Sequence, residues 1–310
     1  MRKSKRPILV TGSHRSGTTW IGKTISQHPR ILYVHEPFNV TYPNNVMGLK
    51  LLKLDTWFSD AETSNQKNEI ITCFSNLLQQ RPRKYALAAC KSVGMDILLP
   101  LRFSKHLVRL LLSPHILVKD PIALLSAGWL HETYNFKVIC MIRNPFAFVG
   151  SLKVVGWDFD FENLRKQDKL MTGRLYKFSD SIKAMCAREN TGDFIDRATL
   201  LWNILHFVII EYQKQYPNWL FLKHEDIAKS PQTGFQEVFR YLELDMNDNI
   251  QNYIDKYTSH KEPTEVNPSY KPRNSKLLLH TWKERLSNDE ICRIKASTKE
   301  IASQFYETTA

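Results

Sequence analysis

A short apolar run followed at once by a glycine-spaced loop constrains the fold of this chain more than any other sequence feature. The run "PILVTG" predicts a buried strand that ends at Gly12, and "ILYVHEP" predicts a second strand that ends at Pro37. Between them, "TTWIGKTISQHP" has the apolar spacing of a helix that stops before Pro29. Strand, loop, helix and strand within about thirty residues are typical of a βαβ unit, and so of a parallel sheet.

The loop contains the phosphate-loop spacing G-x-x-x-x-G twice, and the two registers predict different chemistry. The Gly17–Thr24 register matches the Walker A pattern fully, whereas the Gly12–Thr19 register lacks its lysine. A phosphate loop begins where its strand ends, because the backbone N–H groups of the next helix must point at the anion. The Gly17–Thr24 register starts too late and would put Trp20 and Ile21 inside the loop. We therefore expect the Gly12–Thr19 register to hold a phosphate.

The expected loop carries its positive charge in an unusual place. Thr18 occupies the position of the Walker lysine, and the nearest cation is Arg15. The run "ILVKD", ending at Asp120, is the one candidate for a Walker B strand, so a magnesium partner is poorly supported. An arginine can neutralise a smaller anion alone through two parallel hydrogen bonds. Backbone and hydroxyl groups of the loop would assist it, from Ser16, Gly17, Thr18 and Thr19.

The rest of the chain alternates predicted strands and helices. Strands are predicted at "HILVKDP", at 137–142 and within 219–227, and helices over 64–80, over 193–216 and near the C-terminus. This alternation predicts an α/β fold with a mainly parallel central sheet flanked by helices. We expect a single domain over 1–310, with helical insertions at about 40–115 and 155–216. A Pro-, Asn-, Ser- and Lys-rich segment, 259–280, is predicted to be a loop.

Composition limits the class of partner without identifying it. The 310 residues include 43 Lys and Arg against 31 Asp and Glu, which gives a formal net charge of +12. Such an excess favours a polyanionic partner, such as a phosphorylated cofactor, a nucleic acid or an acidic membrane. Interleaved aromatic and basic motifs of RNA-binding modules are missing from the sequence, so we do not expect nucleic acid as a partner.

Cysteine spacing and hydropathy predict the compartment. Five cysteines occur singly, which disfavours a disulfide framework or a zinc site and favours a reducing compartment. The basic N-terminus lacks an apolar signal-peptide core, and "LLWNILHFVII" is too short to span a bilayer. We expect a cytoplasmic protein with no transmembrane segment and no metal. The basic stretch 101–115 leaves peripheral membrane contact open, and the oligomeric state is also open.

Several motifs, in order, resemble one enzyme family. "RSGTTW" resembles the 5′-phosphosulfate loop of sulfotransferases that use 3′-phosphoadenosine 5′-phosphosulfate (PAPS), and "RNPFAFVGSL" resembles their 3′-phosphate segment. "YVHEPF" is similar to the Glu-Pro strand end of the carbohydrate and tyrosylprotein branches. "FLKHEDIAKSPQTGFQEVFRYLEL" and "KPRNSKLLLHTWKERLS" resemble later family segments. The resemblance extends from about 7 to 305, fades at 40–115 and 155–195, and is strongest to bacterial sulfotransferases of unassigned substrate.

This resemblance implies a fold, a donor and a set of donor-binding residues. The fold would be the three-layer sulfotransferase fold related to P-loop NTPases. The donor would be PAPS and the product 3′-phosphoadenosine 5′-phosphate (PAP), with a hydroxyl-bearing acceptor. Arg15 would contact the 5′-phosphate and the bridging oxygen where charge develops in the transition state. The remaining implied donor contacts are Arg143 and Ser151 at the 3′-phosphate, and Lys271, Arg273 and Lys276 in a loop that closes over the nucleotide.

The resemblance also implies that Glu36 is the general base that takes the proton of the acceptor hydroxyl. Glu36 lies at the end of the second predicted strand, beside the end of the first strand if the two are neighbours. This places it at the carboxyl edge of the sheet, where open α/β sheets bind ligands. Burial would raise its pKa and a nearby Arg15 would lower it, so the sequence leaves the sign open. Strand alternation points His35 to the opposite face, which makes it a weaker candidate base. His14 is a third candidate.

Some alternatives remain open at this stage. A magnesium-dependent kinase using the Gly17–Thr24 register predicts ATP binding through Lys23. A relative that binds PAPS without catalysis is a further alternative. Lys119 and Asp120 lie at another predicted strand end and could contact either donor or acceptor. The acceptor itself stays open among a sugar, a glycolipid, another alcohol and a peptide tyrosine.

Overall fold

The description of the fold covers most of the chain. A computed structural model describes residues 6–41, 45–46, 49–50, 52–79, 115–187, 193–258 and 279–307. Lys271, Arg273, Lys276 and most of the predicted 259–280 loop lie outside these residues, as does most of the basic stretch 101–115.

A five-stranded sheet forms the centre of the fold, with strand order β2-β5-β1-β6-β7. The pairs β2–β5, β1–β5 and β6–β7 are parallel, which confirms the predicted α/β class. Strands β3 and β4 pair antiparallel and form a second, two-stranded sheet. The strands are β1 (Ile8–Gly12), β2 (Ile31–His35), β3 (Asn45–Val46), β4 (Leu49–Lys50), β5 (His115–Lys119), β6 (Lys137–Ile142) and β7 (Leu220–Lys223).

Strand β5 lies between β1 and β2, so the first two strands of the chain are not neighbours. The register pairs Tyr33 with Leu117 and Ile8 with Leu117 on opposite sides of β5. The condition under which Glu36 would lie beside the end of β1, that the two strands are neighbours, is therefore not met. The neighbour of Glu36 at the strand ends is Lys119, whose carbonyl accepts a 2.9 Å hydrogen bond from the Glu36 N–H.

The helices agree well with the periodicity of the sequence. Predicted helices over 64–80 and 193–216 correspond to α2 and α8, and Ser287 closes a capping box at the start of the C-terminal helix. The described α-helices are α1 (Thr18–Ile25), α2 (Lys67–Gln79), α3 (Ala127–Tyr134), α4 (Pro145–Val155), α5 (Glu162–Arg165), α6 (Asp168–Thr172), α7 (Ser179–Ala187), α8 (Phe194–Gln215), α9 (His224–Lys229), α10 (Pro231–Leu242), α11 (Asp248–Thr258), α12 (Trp282–Arg285) and α13 (Asn288–Ala302).

The chain divides into two compact units. The first comprises Met1–Thr11 and Thr18–Val138, and in it α1 packs on β2 and β5. The second comprises Gly12–Gly17 and Ile139–Ala310, and its core helix α8 packs against α4 and α13. Within the described ranges, no helix has both the length and the apolar character needed to cross a membrane.

Candidate active site

The structure selects the register of the phosphate-loop motif. β1 ends at Gly12 and α1 begins at Thr18, so residues 12–17 form the loop. Gly22 is buried inside α1 and packs against the side chains of Tyr33 and Lys119. Most of the Walker-like Gly17–Thr24 register therefore lies in helix α1 rather than in a loop. Its second glycine, Gly22, is needed for packing.

Three residues of the loop have a positive φ: Gly12 has φ 130°, Arg15 has φ 62° and Gly17 has φ 88°. Left-handed residues in a turn are one way in which backbone N–H groups converge on an anion. A Cβ at Gly17 would lie 2.5 Å from His224 Nδ1, which explains why this position lacks a side chain. The Ser16 hydroxyl donates to the Ser13 carbonyl, which tightens the turn.

His14 anchors the loop. Its ring lies 4.4 Å from the Trp157 ring and 4.9 Å from the Phe148 ring, measured between centroids. Burial, followed by the charge of Arg15, lowers the pKa of His14 to about 3. A buried imidazole that stays neutral fits a role in shaping the loop better than the role of a base, for which His14 was the third candidate.

Arg15 and Ser151 meet although they are 136 residues apart. Arg15 Nε donates a 2.9 Å hydrogen bond to Ser151 Oγ. Arg15 is the exposed residue of an otherwise mostly buried loop, and Ser151 is buried in α4. The two residues predicted for the two phosphates of the donor thus contact each other in the second unit.

Arg143 immediately follows β6, and α4 begins two residues later. Asn144 caps α4, because its side chain accepts hydrogen bonds from the N–H groups of Phe146 and Ala147, with Pro145 at the first helical position. Burial lowers the pKa of Arg143, and the carboxylate of Glu225 raises it. Its Nε lies 3.6 Å from Glu225 Oε1. Arg143 therefore lies directly after β6, which agrees with the strand predicted at 137–142. Its partner Glu225 could not be predicted from the sequence.

Glu36 and Lys119 form an ion pair in the first unit. The Lys119 side chain is fully buried and its Nζ contacts Glu36 Oε1, while Glu36 Oε2 accepts a 2.7 Å hydrogen bond from Asn39 Nδ2. Burial raises the pKa of Glu36, but Lys119, His35 and Asn39 together lower it below its ordinary value. The sign that the sequence left open is therefore downward, and its main cause is Lys119.

His35 lies beside Glu36 rather than on the opposite face. Its Nε2 is 4.0 Å from Glu36 Oε2, and its Nδ1 is 3.3 Å from the Tyr33 hydroxyl. The alternation argument is wrong because β2 ends at His35 and Glu36 has φ 42°, so the strand pattern does not continue. Burial and the charge of Lys119 lower the pKa of His35 to about 4.

Two further residues of the first unit were assigned alternative roles from the sequence. Lys23 of the Walker-like register projects over the Tyr33 ring, with Nζ 4.3 Å from its centroid. Asp120 is buried, and its carboxylate accepts hydrogen bonds from the N–H groups of Phe38, Ile122 and Ala123. Asp120 thus holds backbone together, and a Walker B role would require it to give up these bonds.

Together, the parallel sheet, the loop of residues 12–17 and the Arg15–Ser151 contact define an α/β protein with a phosphate-type loop after a central strand. A family model described as the sulfotransferase domain matches residues 5–306, and the chain belongs to this family. The kinase alternative is accordingly not favoured. No curated protein matches the chain.

Two solved structures are similar to the chain at low sequence identity, and the first of them shares its fold. The sulfotransferase domain from the curacin biosynthetic pathway is 15% identical, with 96% of each chain covered and a TM-score of 0.51. The sulfotransferase domain from the Synechococcus PCC 7002 olefin synthase is 15% identical, with 98% of this chain and 97% of that chain covered and a TM-score of 0.49.

Proposed function

We propose that this sulfotransferase moves a sulfuryl group from PAPS to the hydroxyl of a carbohydrate, a glycolipid or another alcohol. The observation that carries the proposal is the hydrogen bond between Arg15 and Ser151, in a loop whose Walker lysine is replaced by Thr18. This contact supports a loop in which Arg15, rather than a Walker lysine, supplies the positive charge that binds a phosphosulfate. The rest of the chain's basic character is consistent with a polyanionic donor.

The residues at the loop fit this donor. The Ser13 hydroxyl is buried and has no hydrogen-bond partner among the described residues, and the Arg143 guanidinium is buried in the same unit. Such polar groups favour an anionic ligand, because an unpaired buried donor costs free energy. The proposed 5′ contacts are Arg15, Ser16, Gly17, Thr18 and Thr19. The proposed 3′ contacts are Arg143 and Ser151, with Lys271, Arg273 and Lys276 from the 259–280 loop.

The chemistry supplied by bound PAPS is an activated sulfur, attacked by the acceptor oxygen as the bond to the 5′-phosphate oxygen breaks. Arg15 would stabilise the charge that develops on that phosphate oxygen. Glu36 would take the acceptor proton. The ion pair with Lys119 keeps Glu36 ionised at neutral pH, which is the form a base needs, and the Asn39 amide fixes its orientation.

Ligand-dependent stability tests the donor. We expect PAP to raise the melting temperature more than AMP or ATP with magnesium, since a ligand at 100 times its Kd stabilises the folded state by about 2.7 kcal/mol. Lys23→Ala should leave the PAP shift intact, because Lys23 lies within α1 and faces Tyr33. A shift with ATP and magnesium that PAP does not produce, and that Lys23→Ala removes, would contradict the proposal.

The base is tested by substitution at the three candidates. Glu36→Gln should abolish sulfuryl transfer while PAP binding stays near normal. His35→Ala and His14→Ala, compared in the same assay, should keep measurable transfer. Activity in Glu36→Gln together with an inactive His35→Ala would move the role of base to His35.

We also infer a cytoplasmic location. Cys73, Cys140, Cys186 and Cys292 are free thiols, which supports a reducing compartment.

A further inference from the structure

The backbone of Arg143 is held by side chains of α8. Its N–H donates to His206 Nε2 at 3.3 Å, and its carbonyl accepts from Trp202 Nε1 at 2.9 Å. His206 Nδ1 lies 2.9 Å from the Trp202 carbonyl, so Nδ1 carries the proton and Nε2 can accept. Burial lowers the pKa of His206 to about 3, which keeps this arrangement neutral. Arg143 thus has a fixed backbone at the end of β6.

The side chain of Arg143 is held from one side by Glu225. Glu225 Oε1 lies 3.6 Å from Arg143 Nε and accepts a 3.1 Å hydrogen bond from the Asn144 N–H. Glu225 Oε2 accepts a 3.0 Å hydrogen bond from the Tyr306 hydroxyl. Each carboxylate oxygen therefore has its own partner, and only 15% of the Glu225 side chain is exposed. Tyr306 comes from the segment that follows α13, and it fixes the carboxylate that faces the arginine.

The surroundings explain why Arg143 needs a fixed counter-charge. Arg285 of α12 lies against α4, with Cδ 3.6 Å from the position of a Cβ at Gly150. Burial, followed by the charge of Arg143, lowers the pKa of Arg285. Two guanidinium groups that repel each other would turn apart unless an anion held one of them. Glu225 supplies that anion at the Nε edge. Among the described residues, no hydrogen bond is made by the terminal nitrogens of Arg143.

We propose that Glu225 and Tyr306 are positioning residues that hold Arg143 with its two terminal nitrogens directed to the 3′-phosphate of the donor. The proposal rests on the donor proposed above. In this proposal, contacts that run from Tyr306 through Glu225 to Arg143 determine the preference for a nucleotide that carries a 3′-phosphate. The contacts of Glu225 and Tyr306 lead to Arg143 and Asn144, so their proposed effect is confined to the 3′-phosphate.

The test compares PAP with AMP, which differ by the 3′-phosphate, in titration calorimetry on the full chain. Tyr306→Phe removes one hydroxyl and keeps the ring. Loss of one hydrogen bond to a carboxylate should weaken PAP binding about three- to tenfold and leave AMP binding unchanged. Tyr176→Phe removes the same hydroxyl from a tyrosine that is 75% exposed, and it should change neither affinity. Equal weakening of PAP and AMP in Tyr306→Phe would overturn the proposal, since that is what general loosening produces.

Two more variants distinguish a positioning role of Glu225 and Tyr306 from a purely structural one. Glu225→Gln keeps the side-chain volume and removes the charge, and it should lower the preference for PAP over AMP at least as much as Tyr306→Phe. A higher preference for PAP over AMP in Glu225→Gln would overturn the proposal, because the Glu225 carboxylate would then act only by repelling the 3′-phosphate. In an Arg143→Ala background, Tyr306→Phe should have no further effect on the preference, since it acts through the missing arginine. An undiminished effect in that background would also overturn it.

Failure of this inference is distinguishable from failure of the proposed donor. If the wild-type protein binds PAP no more tightly than AMP, the 3′-phosphate assignment itself is wrong. If the wild type prefers PAP and the Tyr306 and Glu225 variants keep that preference, the donor stands and the positioning role is wrong.

Discussion

Arg15 Nε donates a 2.9 Å hydrogen bond to Ser151 Oγ, which joins the glycine-spaced loop to the buried face of α4. The contact fixes the side chain of the one exposed residue in residues 12–17. Because Arg15 has φ 62°, its backbone also adopts a conformation that residues with a side chain rarely take. A strained backbone and a long-range hydrogen bond at one residue indicate a functional position.

Substitution of Arg15 should remove most of the transfer activity. Arg15→Ala is expected to lower kcat about 100-fold or more, because a group that stabilises developing charge typically contributes this much. Arg15→Lys should retain part of the activity, since the charge stays and the fork geometry is lost. The measurement is the transfer rate at saturating donor. Arg165→Ala, which removes an exposed arginine from α5, serves as the control and should leave the rate unchanged.

Removal of Lys119 should change the pH dependence of transfer. Lys119 lowers the pKa of Glu36, whereas burial raises it, so Lys119→Met should let the pKa of Glu36 rise. Transfer needs the ionised carboxylate, so the acidic limb of the kcat/KM profile should move to higher pH in the variant. Lys67→Met, at a half-exposed lysine of α2 whose Nζ donates to the Glu62 carbonyl, should keep the wild-type profile. A profile that does not move in Lys119→Met would show that Glu36 is not the titrating base.

His14 should make the fold sensitive to acid. Its folded pKa is about 3 against an ordinary value of 6.5, so below pH 6.5 the unfolded chain binds a proton that the folded protein does not. Stability should therefore fall as the pH drops from 6.5 towards 3, by about 2 kcal/mol at pH 5 from this group. His14→Phe keeps a ring against Trp157 and does not titrate. Chemical denaturation at pH 7.5 and pH 5 should show a smaller loss for the variant than for the wild type.

A side chain at Gly17 should damage both the fold and the loop. Gly17→Ala adds a methyl group 2.5 Å from His224 Nδ1 at a residue with φ 88°. Gly156 is the matched control, because it has φ 62° and no atom within 4 Å of an added Cβ. Gly156→Ala should cost about 1 to 2 kcal/mol from the left-handed backbone alone and leave PAP binding intact. Gly17→Ala should lower the free energy of unfolding by more than Gly156→Ala does, and it should also weaken PAP binding. Scanning calorimetry of both variants measures their stability, and titration calorimetry measures their PAP affinity.

Local sequence determined the elements and the loop register. β1, α1, β2 and β6 follow from apolar runs and helical spacing, because each pattern is set by which faces of a segment are buried. The loop register follows from the point where β1 ends, since backbone N–H groups are available for an anion only at the start of the next helix. Asn144 and Ser287 were predictable as caps for the same local reason.

The tertiary structure decided which strand ends are neighbours and which charges pair. Strand order depends on crossovers between distant segments, so the sequence could not show that β5 separates β1 from β2 and brings Lys119 to Glu36. The same holds for Glu225 and Tyr306, which contact each other across 81 residues. The direction of the Glu36 pKa shift was open in the sequence because burial and ion pairing act in opposite directions. The buried Lys119 beside it, together with His35 and the amide of Asn39, settled that balance.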